Sequence, residues 1–366
     1  KIINKSMDIS ELGLDDEVVD FLNGQKDFII DRVSQEGGNC DIFFGEHKIF
    51  NKRIALKIYY GSASDSSHNE PKILSKLNHP NILKVMDAKR IGKYHSYFMT
   101  DEINGGDLEK YYKAGKLDLK KALNIIHGIL NGLSELHKDK IQILHRDIKP
   151  KNILVYEENS EPLIADFGSI KHFNSSGKIA GSKTTTLYMP PEIIKGGCYT
   201  IQSDIYQLGI SMFQILGGFF PDTYAEWLTN KEQIKLKSIS GAYEISVFVD
   251  NIIYGLILKN KLLKYDTLPP YIGKEIINII KKSTHSDLKI RYSNASEFLN
   301  DLYKVQKRLT NWQQKDSIYY ATTIKGDKYR ILHSKNGFSI EKNGASGWRR
   351  TGDFSNEIET QFAKIK

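Results

Sequence analysis

Residues 144–155, LHRDIKPKNILV, put a carboxylate, an ammonium and an amide into one short segment. Asp147 can accept a proton from a hydroxyl nucleophile or orient it. Lys149 can neutralise charge on a transferring phosphoryl group, and Asn152 can ligate Mg²⁺. Farther along, IADFGS places Asp166 close to a glycine that lets the chain turn away, and a second hard oxygen ligand for Mg²⁺ fits there. Two oxygen ligands and one base make a phosphoryl-transfer site.

Such a site needs elements to hold it, and the apolar pattern shows which. Residues 8–24 have apolar positions at helical spacing and end at Asn23-Gly24, so a short amphipathic helix is expected ahead of the main fold. From Asp27 to Thr100 the runs DFIIDRV, DIFFG, RIALKIYY and SYFMT predict strands, interrupted by one helical segment around NEPKILSKLNHP. Beyond Leu108 the period changes. LDLKKALNIIHGILNGLSELHK, IQSDIYQLGISMFQIL and ASEFLNDLYKVQ repeat apolar residues at threes and fours. A small sheet followed by a helical body is an α+β plan with two lobes. The lobes correspond to residues 27–306, with residues 1–26 as a helical extension.

Past Asp316 strands return as SIYYATTI, KYRILHS, GFSIEK and WRRTGDF. Asn336-Gly337 and Asn343-Gly344 are expected to be two-residue hairpin turns with both central positions at positive φ. Residues 316–366 are therefore read as a separate β-rich module of three or four strands. It is basic: after residue 306, twelve lysines and arginines face six acids, a net +6 out of +8 for the chain. Tyr319, Tyr320, Tyr329, Phe338 and Trp348 could form a stacking face for nucleic acid. The preferred reading makes them the module's core, with nucleic acid not expected as a partner.

The 366 residues, 40% hydrophobic, suffice for one large core or two linked ones. No stretch approaches the roughly 20 apolar residues of a membrane span, and the first residues lack the pattern of a signal peptide. A cytoplasmic protein with no membrane partner is the expectation. The two cysteines, Cys40 and Cys198, are too few for a disulfide framework or a metal knuckle. Oligomeric state is open.

Residues 27–306 resemble the eukaryotic-type serine/threonine protein kinases. His145-Arg146-Asp147 with Asn152 resembles the catalytic loop, Asp166-Phe167-Gly168 the metal-binding motif, and IALK the strand whose lysine, Lys57, grips the α- and β-phosphates. Glu70 lies where the family has the partner of that lysine. MPPE, at 189–192, stands for the family's A-P-E, Asp204 for the brace of the catalytic loop, and Arg291 for the partner of Glu192. The resemblance implies a bilobal kinase fold, ATP and Mg²⁺ as cofactors, and a protein substrate. Lys149-Pro150 is similar to the serine/threonine branch, and Thr185 falls where that branch has a threonine touching the catalytic loop.

For the nucleotide, the resemblance implies Thr100 as gatekeeper and adenine contacts from the Asp101 carbonyl and the Ile103 amide. Asp107 falls at the ribose, and Ile42, Ala55 and Leu154 around the ring. The phosphate loop is irregular. In VSQEGGNCDIFF the three glycine places of G-x-G-x-x-G hold Gln35, Gly37 and Cys40. Gly37 and Gly38 leave room for amides to reach phosphate, whereas Gln35 and Cys40 are expected to crowd the shoulders. His145 is assigned a structural place beside Phe167 and Leu74. Arg146 is expected to pair with a phosphate on the segment 169–187, at Ser182 or Thr184 after autophosphorylation. A nucleotide-binding pseudokinase, and a kinase delivered to nucleic acid by its tail, are the competing classes. Residues 220–269 are longer than the family's usual linker.

Overall fold

The structure is a computed structural model and describes residues 9–37, 40–60, 74–167, 171–172, 179–180, 186–352 and 354–365. Its first lobe is an antiparallel sheet of β1 (Phe28–Gly37), β2 (Cys40–His47), β3 (Lys52–Tyr60), β4 (Asp87–Ile91) and β5 (His95–Asp101), in the order β1-β2-β3-β5-β4. Side chains alternate across a strand, so the pleat sorts them by face. Phe43, Ile54, Leu56, Ile58, Tyr97 and Met99 turn to one face, where Val18 and Leu22 of α1 (Asp16–Gly24) cover them. Ile42, Ala55, Lys57, Phe98 and Thr100 share the other face, paired Ile42 with Lys57, Lys57 with Phe98 and Ala55 with Thr100.

Two local expectations are corrected here. The helix expected over 8–24 is broken at Gly13, whose φ of 67° ends a 3-10 turn at Ser10–Leu12 before α1 begins. Strand β4 had no alternation to announce it. Its middle residues are exposed because it lies at the sheet edge, so the sequence DAKRI needs no apolar period. The helix expected around NEPKILSKLNHP lies, up to Leu74, outside the described residues.

The second lobe contains α2 (Leu108–Lys113), α3 (Leu119–Leu136), α4 (Pro191–Ile194), α5 (Ile201–Ile215), α6 (Asn230–Leu236), α7 (Ala242–Leu258), α8 (Lys274–Ser283) and α9 (Ala295–Gln306). Helix α3 buries Leu119, Leu123, Ile126, Leu130 and Leu133 along one stripe, and Asp118 caps it by accepting from Lys121 N. Helix α5 is enclosed all round, so that even Ser203, Asp204, Gln207 and Ser211 are buried. Short strand pairs hold the loops between the lobes. β6 (Ile143–Leu144) pairs with β9 (Lys171–His172), and β7 (Ile153–Val155) with β8 (Pro162–Ile164). β10 (Ile179–Ala180) pairs with β11 (Cys198–Tyr199). The long stretch at 220–269 supplies α6 and α7, and α7 reaches the segment before α4, where Thr186 Oγ1 donates to Asp250 Oδ1 at 2.8 Å.

At the C-terminal end β12 (Asn311–Lys315), β13 (Ile318–Thr322), β14 (Lys328–Ser334), β15 (Gly337–Gly344) and β16 (Gly347–Arg350) form a five-stranded antiparallel meander, followed by α10 (Ile358–Lys364). The sheet thus starts at Asn311, ahead of the expected 316, and has one strand more than the upper expectation. NWQQK has a single apolar residue, Trp312, and gave no alternation. The turns also differ. Positive φ at two successive residues occurs at Asp316 (47°) and Ser317 (64°), whereas at Asn336-Gly337 only the glycine (99°) has it. Gly337 pairs with Ser334, and Asn343-Gly344 lies inside β15, with the turn after it closed by Gly347 (91°). A type I turn followed by a left-handed glycine closes such hairpins without an I′ turn.

The module's aromatics divide between two faces. Tyr319, Tyr329 and Phe338 pack with Trp312 against the core of the helical lobe, and Trp312 meets Phe362 at 4.8 Å and Tyr271 at 6.0 Å between ring centroids. Tyr320 and Trp348 lie on the opposite face, where Arg330 sits 4.7 Å over the Trp348 ring, so these two are not core residues. Among the described residues, no helix is long and apolar enough to cross a membrane.

Candidate active site

The segment from His145 to Asn152 crosses between β6 and β7 and is pinned from below by α5. Asp204, fully buried in the first turn of that helix, accepts from His145 N (2.9 Å), from Arg146 N (2.7 Å) and from His137 Nε2 (2.9 Å). Gln207, one helical turn on, accepts from Ile148 N and donates to Arg146 O, each at 2.9 Å. Burial alone would raise the Asp204 pKa. The His137 hydrogen bond, the nearby imidazoles and the Arg146 amide outweigh it and hold the carboxyl below the usual range. These bonds fix a backbone that holds Arg146 at φ 70°, a left-handed value that side chains rarely adopt.

Asp147 projects from this anchored loop. Its Oδ2 accepts from Lys149 Nζ and from Asn152 Nδ2, both at 2.8 Å. Asn152 Nδ2 also donates to the Asp147 carbonyl, which orients the amide and leaves Asn152 Oδ1 as its remaining acceptor. The other carboxylate oxygen, Asp147 Oδ1, is buried and has no hydrogen-bond partner among the described residues. A buried acceptor of this kind is costly unless a donor arrives. His145 stands behind the loop. Its Nε2 donates to Ala165 O at 3.0 Å, so its Nδ1 accepts from Asp147 N at 3.4 Å, and its ring meets Phe167 edge-on at 5.1 Å. Leu74 and Phe167 are buried in the same core cluster.

Asp166 follows β8 with φ 57°, again left-handed, and its half-exposed carboxylate approaches Lys57 Nζ at 3.4 Å. Burial raises its pKa, but Lys57, His145 and Lys149 together lower it further, so this acid stays ionised. Lys57 Nζ stands over the rings of Tyr59 at 4.9 Å and Phe98 at 5.9 Å.

Ile42 and Ala55, on the Lys57 face of the sheet, and Leu154 in β7 are each only partly buried. Leu154 packs with Ile103, Leu83, Leu163 and Ala165. Thr100 is buried and its hydroxyl donates to Asp101 O at 3.1 Å. Asp107 caps α2 by accepting from Lys110 N at Oδ1, and its Oδ2 lies 3.6 Å from Lys110 Nζ. Gly37 pairs with Cys40 at the end of the β1–β2 hairpin. Gln35 does not crowd the cleft. Its side chain bonds Asp41 Oδ2 at 3.4 Å, beside Tyr60, on the face that α1 covers. Cys40, which pairs with Tyr59, remains on the cleft face.

The folded chain thus links Lys57 to Asp166 at 3.4 Å, Asp147 to Lys149 and Asn152 at 2.8 Å each, and Ala165 N to Asn152 O at 2.9 Å. Ile42, Ala55 and Thr100 share the Lys57 face of the sheet, and Asp107 bridges to Leu154. Glu70, Gly38, Gly168, Ser182, Thr184 and Thr185 lie outside the described residues. A family model for the protein kinase domain matches residues 36–304. This chain belongs to the protein kinase family. Among curated proteins it is similar to the serine/threonine-protein kinase PrkC of Bacillus subtilis, at 29% identity over 74% of this chain and 39% of the relative. Serine/threonine-protein kinase atg1 of Dictyostelium discoideum is 31% identical over 63% of this chain and 36% of the relative. The probable serine/threonine-protein kinase PknB of Lactococcus lactis is 25% identical over 73% and 40%. The chain therefore spans roughly two-fifths of these relatives' lengths. In this kinase the Glu192–Arg291 pair is bidentate, both bonds at 3.0 Å, and Ser203 Oγ adds a third donor to the glutamate. The guanidinium of Arg146 is buried 5.0 Å from the Tyr199 ring. Sequence reading missed Gln207, although its spacing from Asp204 on one helix face is a usable signal, and missed His137, Arg53 and Glu102.

Proposed function

We propose that this chain transfers the γ-phosphoryl group of ATP to serine or threonine hydroxyls of protein substrates. The observation that carries the reading is the buried, unpartnered Asp147 Oδ1 beside Lys149 and Asn152. A substrate hydroxyl would supply the missing donor. Its oxygen attacks the γ-phosphorus, the bond to the β–γ bridging oxygen breaks, ADP leaves and the proton passes to Asp147. Lys149, bonded to the other oxygen, offsets negative charge on the transferring group. Asn152 Oδ1 and the ionised Asp166 fit the hard-oxygen donor set of Mg²⁺, which would supply charge neutralisation on the β- and γ-oxygens. Lys57, with Glu70 as its expected partner, would hold the α- and β-phosphates, and amides of Gly37 and Gly38 would approach from above. Adenine would lie between Ile42, Ala55 and Leu154, read by the Asp101 carbonyl and the Ile103 amide, with Asp107 at the ribose.

Lys149-Pro150 and the similarity to serine/threonine-protein kinases support serine and threonine over tyrosine. Autophosphorylation at Ser182 or Thr184 would place a phosphate on the segment that Arg146 is expected to meet. In this reading the described part of the extension, residues 9–26, braces the sheet, residues 27–306 are catalytic and the C-terminal sheet supports the helical lobe. The test is incubation with labelled ATP and Mg²⁺ and mass-spectrometric mapping of phosphorylated residues. Asp147→Asn should cut turnover by about a hundredfold or more, the usual worth of a positioned base. Undiminished labelling in that variant would refute the assignment.

A further inference from the structure

We propose that Arg53 positions the adenine-reading hinge by clamping Glu102, and that a β-bulge at Asp31 makes the clamp possible. The proposal rests on the reading of the cleft as an ATP site. Glu102 lies between Asp101 and Ile103, the two residues whose backbone groups would meet adenine. It is held at three points. Arg53 Nε donates to Glu102 Oε2 at 2.7 Å, Arg32 Nη2 donates to Glu102 Oε1 at 2.6 Å, and Glu102 N donates to Arg53 O at 3.2 Å. Arg53 is fixed in turn by Asp31, whose two carboxylate oxygens accept from Nη1 (2.6 Å) and Nη2 (3.0 Å). The Arg32 guanidinium lies flat against this assembly, 4.1 Å from the centre of the Phe44 ring.

Asp31 and Arg32 are neighbours in β1, and in a regular strand they would point to opposite faces. The register between β1 and β2 slips here. Ile30 pairs with Gly45 and Arg32 with Phe44, so Asp31 has no residue opposite it. The extra residue bends the strand and re-aims its side chains, which lets both neighbours reach the hinge side of β3. An exposed ion pair contributes little alone, because two long side chains must be held in one geometry. This one differs, since Glu102 is only 12% exposed, each of its oxygens accepts from a different arginine, and Arg53 is itself held bidentately by Asp31. Hydrogen bonding to Arg53 holds the Asp31 carboxyl below the usual range, in keeping with a permanently charged clamp.

A positioning role differs from mere support of the sheet in what it should move. The hinge reads the base, whereas Lys57 and the metal ligands act on the phosphates. In the full chain, Arg53→Met should raise the Kd for ADP and the KM for ATP by roughly fivefold, as expected for losing a partly exposed charged network. It should leave kcat at saturating ATP nearly unchanged. The preference for ATP over GTP in kcat/KM should fall, because the base-reading groups have loosened, and Arg53→Lys should recover part of it. Glu102→Gln should behave as a weaker copy. The proposal is overturned if Arg53→Met binds ADP as the unmodified protein does, or if it loses kcat and thermal midpoint together with no change in base preference. Failure of the unmodified protein to bind ADP by calorimetry would instead remove the ATP-site reading, and the clamp with it.

Discussion

Asp204→Asn changes one oxygen to an amide nitrogen and leaves the volume nearly unchanged, so its effect isolates the hydrogen bonds that suspend the catalytic loop. In the native site the two carboxylate oxygens serve different donors, Oδ2 accepting from His145 N and Oδ1 from Arg146 N. An asparagine has one acceptor, so whichever way the amide turns, its NH₂ faces a backbone N–H. One charge-assisted hydrogen bond is lost, about 1.5–3 kcal/mol, and a buried donor is left unmade, adding roughly 1–3 kcal/mol. A total of about 4 kcal/mol should lower the thermal midpoint by roughly 7 °C for a unit of this size. Turnover should fall as well, because Asp147 hangs from the loosened amides. The pH dependence has a definite sign. The folded pKa of Asp204 lies below its ordinary 3.8, so its contribution is present above that pH and is lost as the pH falls through the folded value. The gap between the two proteins should therefore be steady near neutrality and close below about pH 4. Differential scanning calorimetry across pH, with a peptide phosphorylation assay, measures both effects. A variant that melts within about 2 °C of the native chain and phosphorylates normally would show that Asp204 does not anchor the loop.

Arg291→Met should destabilise the helical lobe by about 3 kcal/mol in urea unfolding, because the largely buried Glu192 carboxylate keeps only Ser203 Oγ as a side-chain donor, and Arg291→Lys should recover only part, lacking the fork that reaches both oxygens. Trp312→Ala should cost about 3–5 kcal/mol by opening the seam with Tyr271 and Phe362. An unchanged thermal midpoint would mean that the C-terminal sheet does not brace the kinase. Cys40→Gly should lower the KM for ATP by clearing the cleft face, while Gln35→Gly should bring no gain, since Gln35 is already turned onto Asp41. A gain from Gln35→Gly alone would overturn that distinction.

Much of the chemistry was legible in the chain because it depends on residue types a few positions apart. Asp147, Lys149 and Asn152 share one loop, and their mutual bonds follow from that shortness. Helices α3, α5 and α9 announced themselves by period, and Ala295–Gln306 begins and ends where the apolar repeat does, whereas Ala242–Leu258 was not expected. Two edge strands did not announce themselves either. The segments DAKRI and NWQQK are exposed along much of their length, and pairing through backbone groups requires no particular side chain. Only the folded chain could decide which way Gln35 turns, because a register slip in β1 re-aims its side chain toward Asp41. It also decided that Gln207 joins Asp204 beneath the loop, and that Asp31, Arg32, Arg53 and Glu102 meet at one point. Local spacing determines which groups a segment can offer. Which of them meet is settled by strand register and lobe packing, where residues far apart in the chain satisfy one another's buried charges and hydrogen bonds.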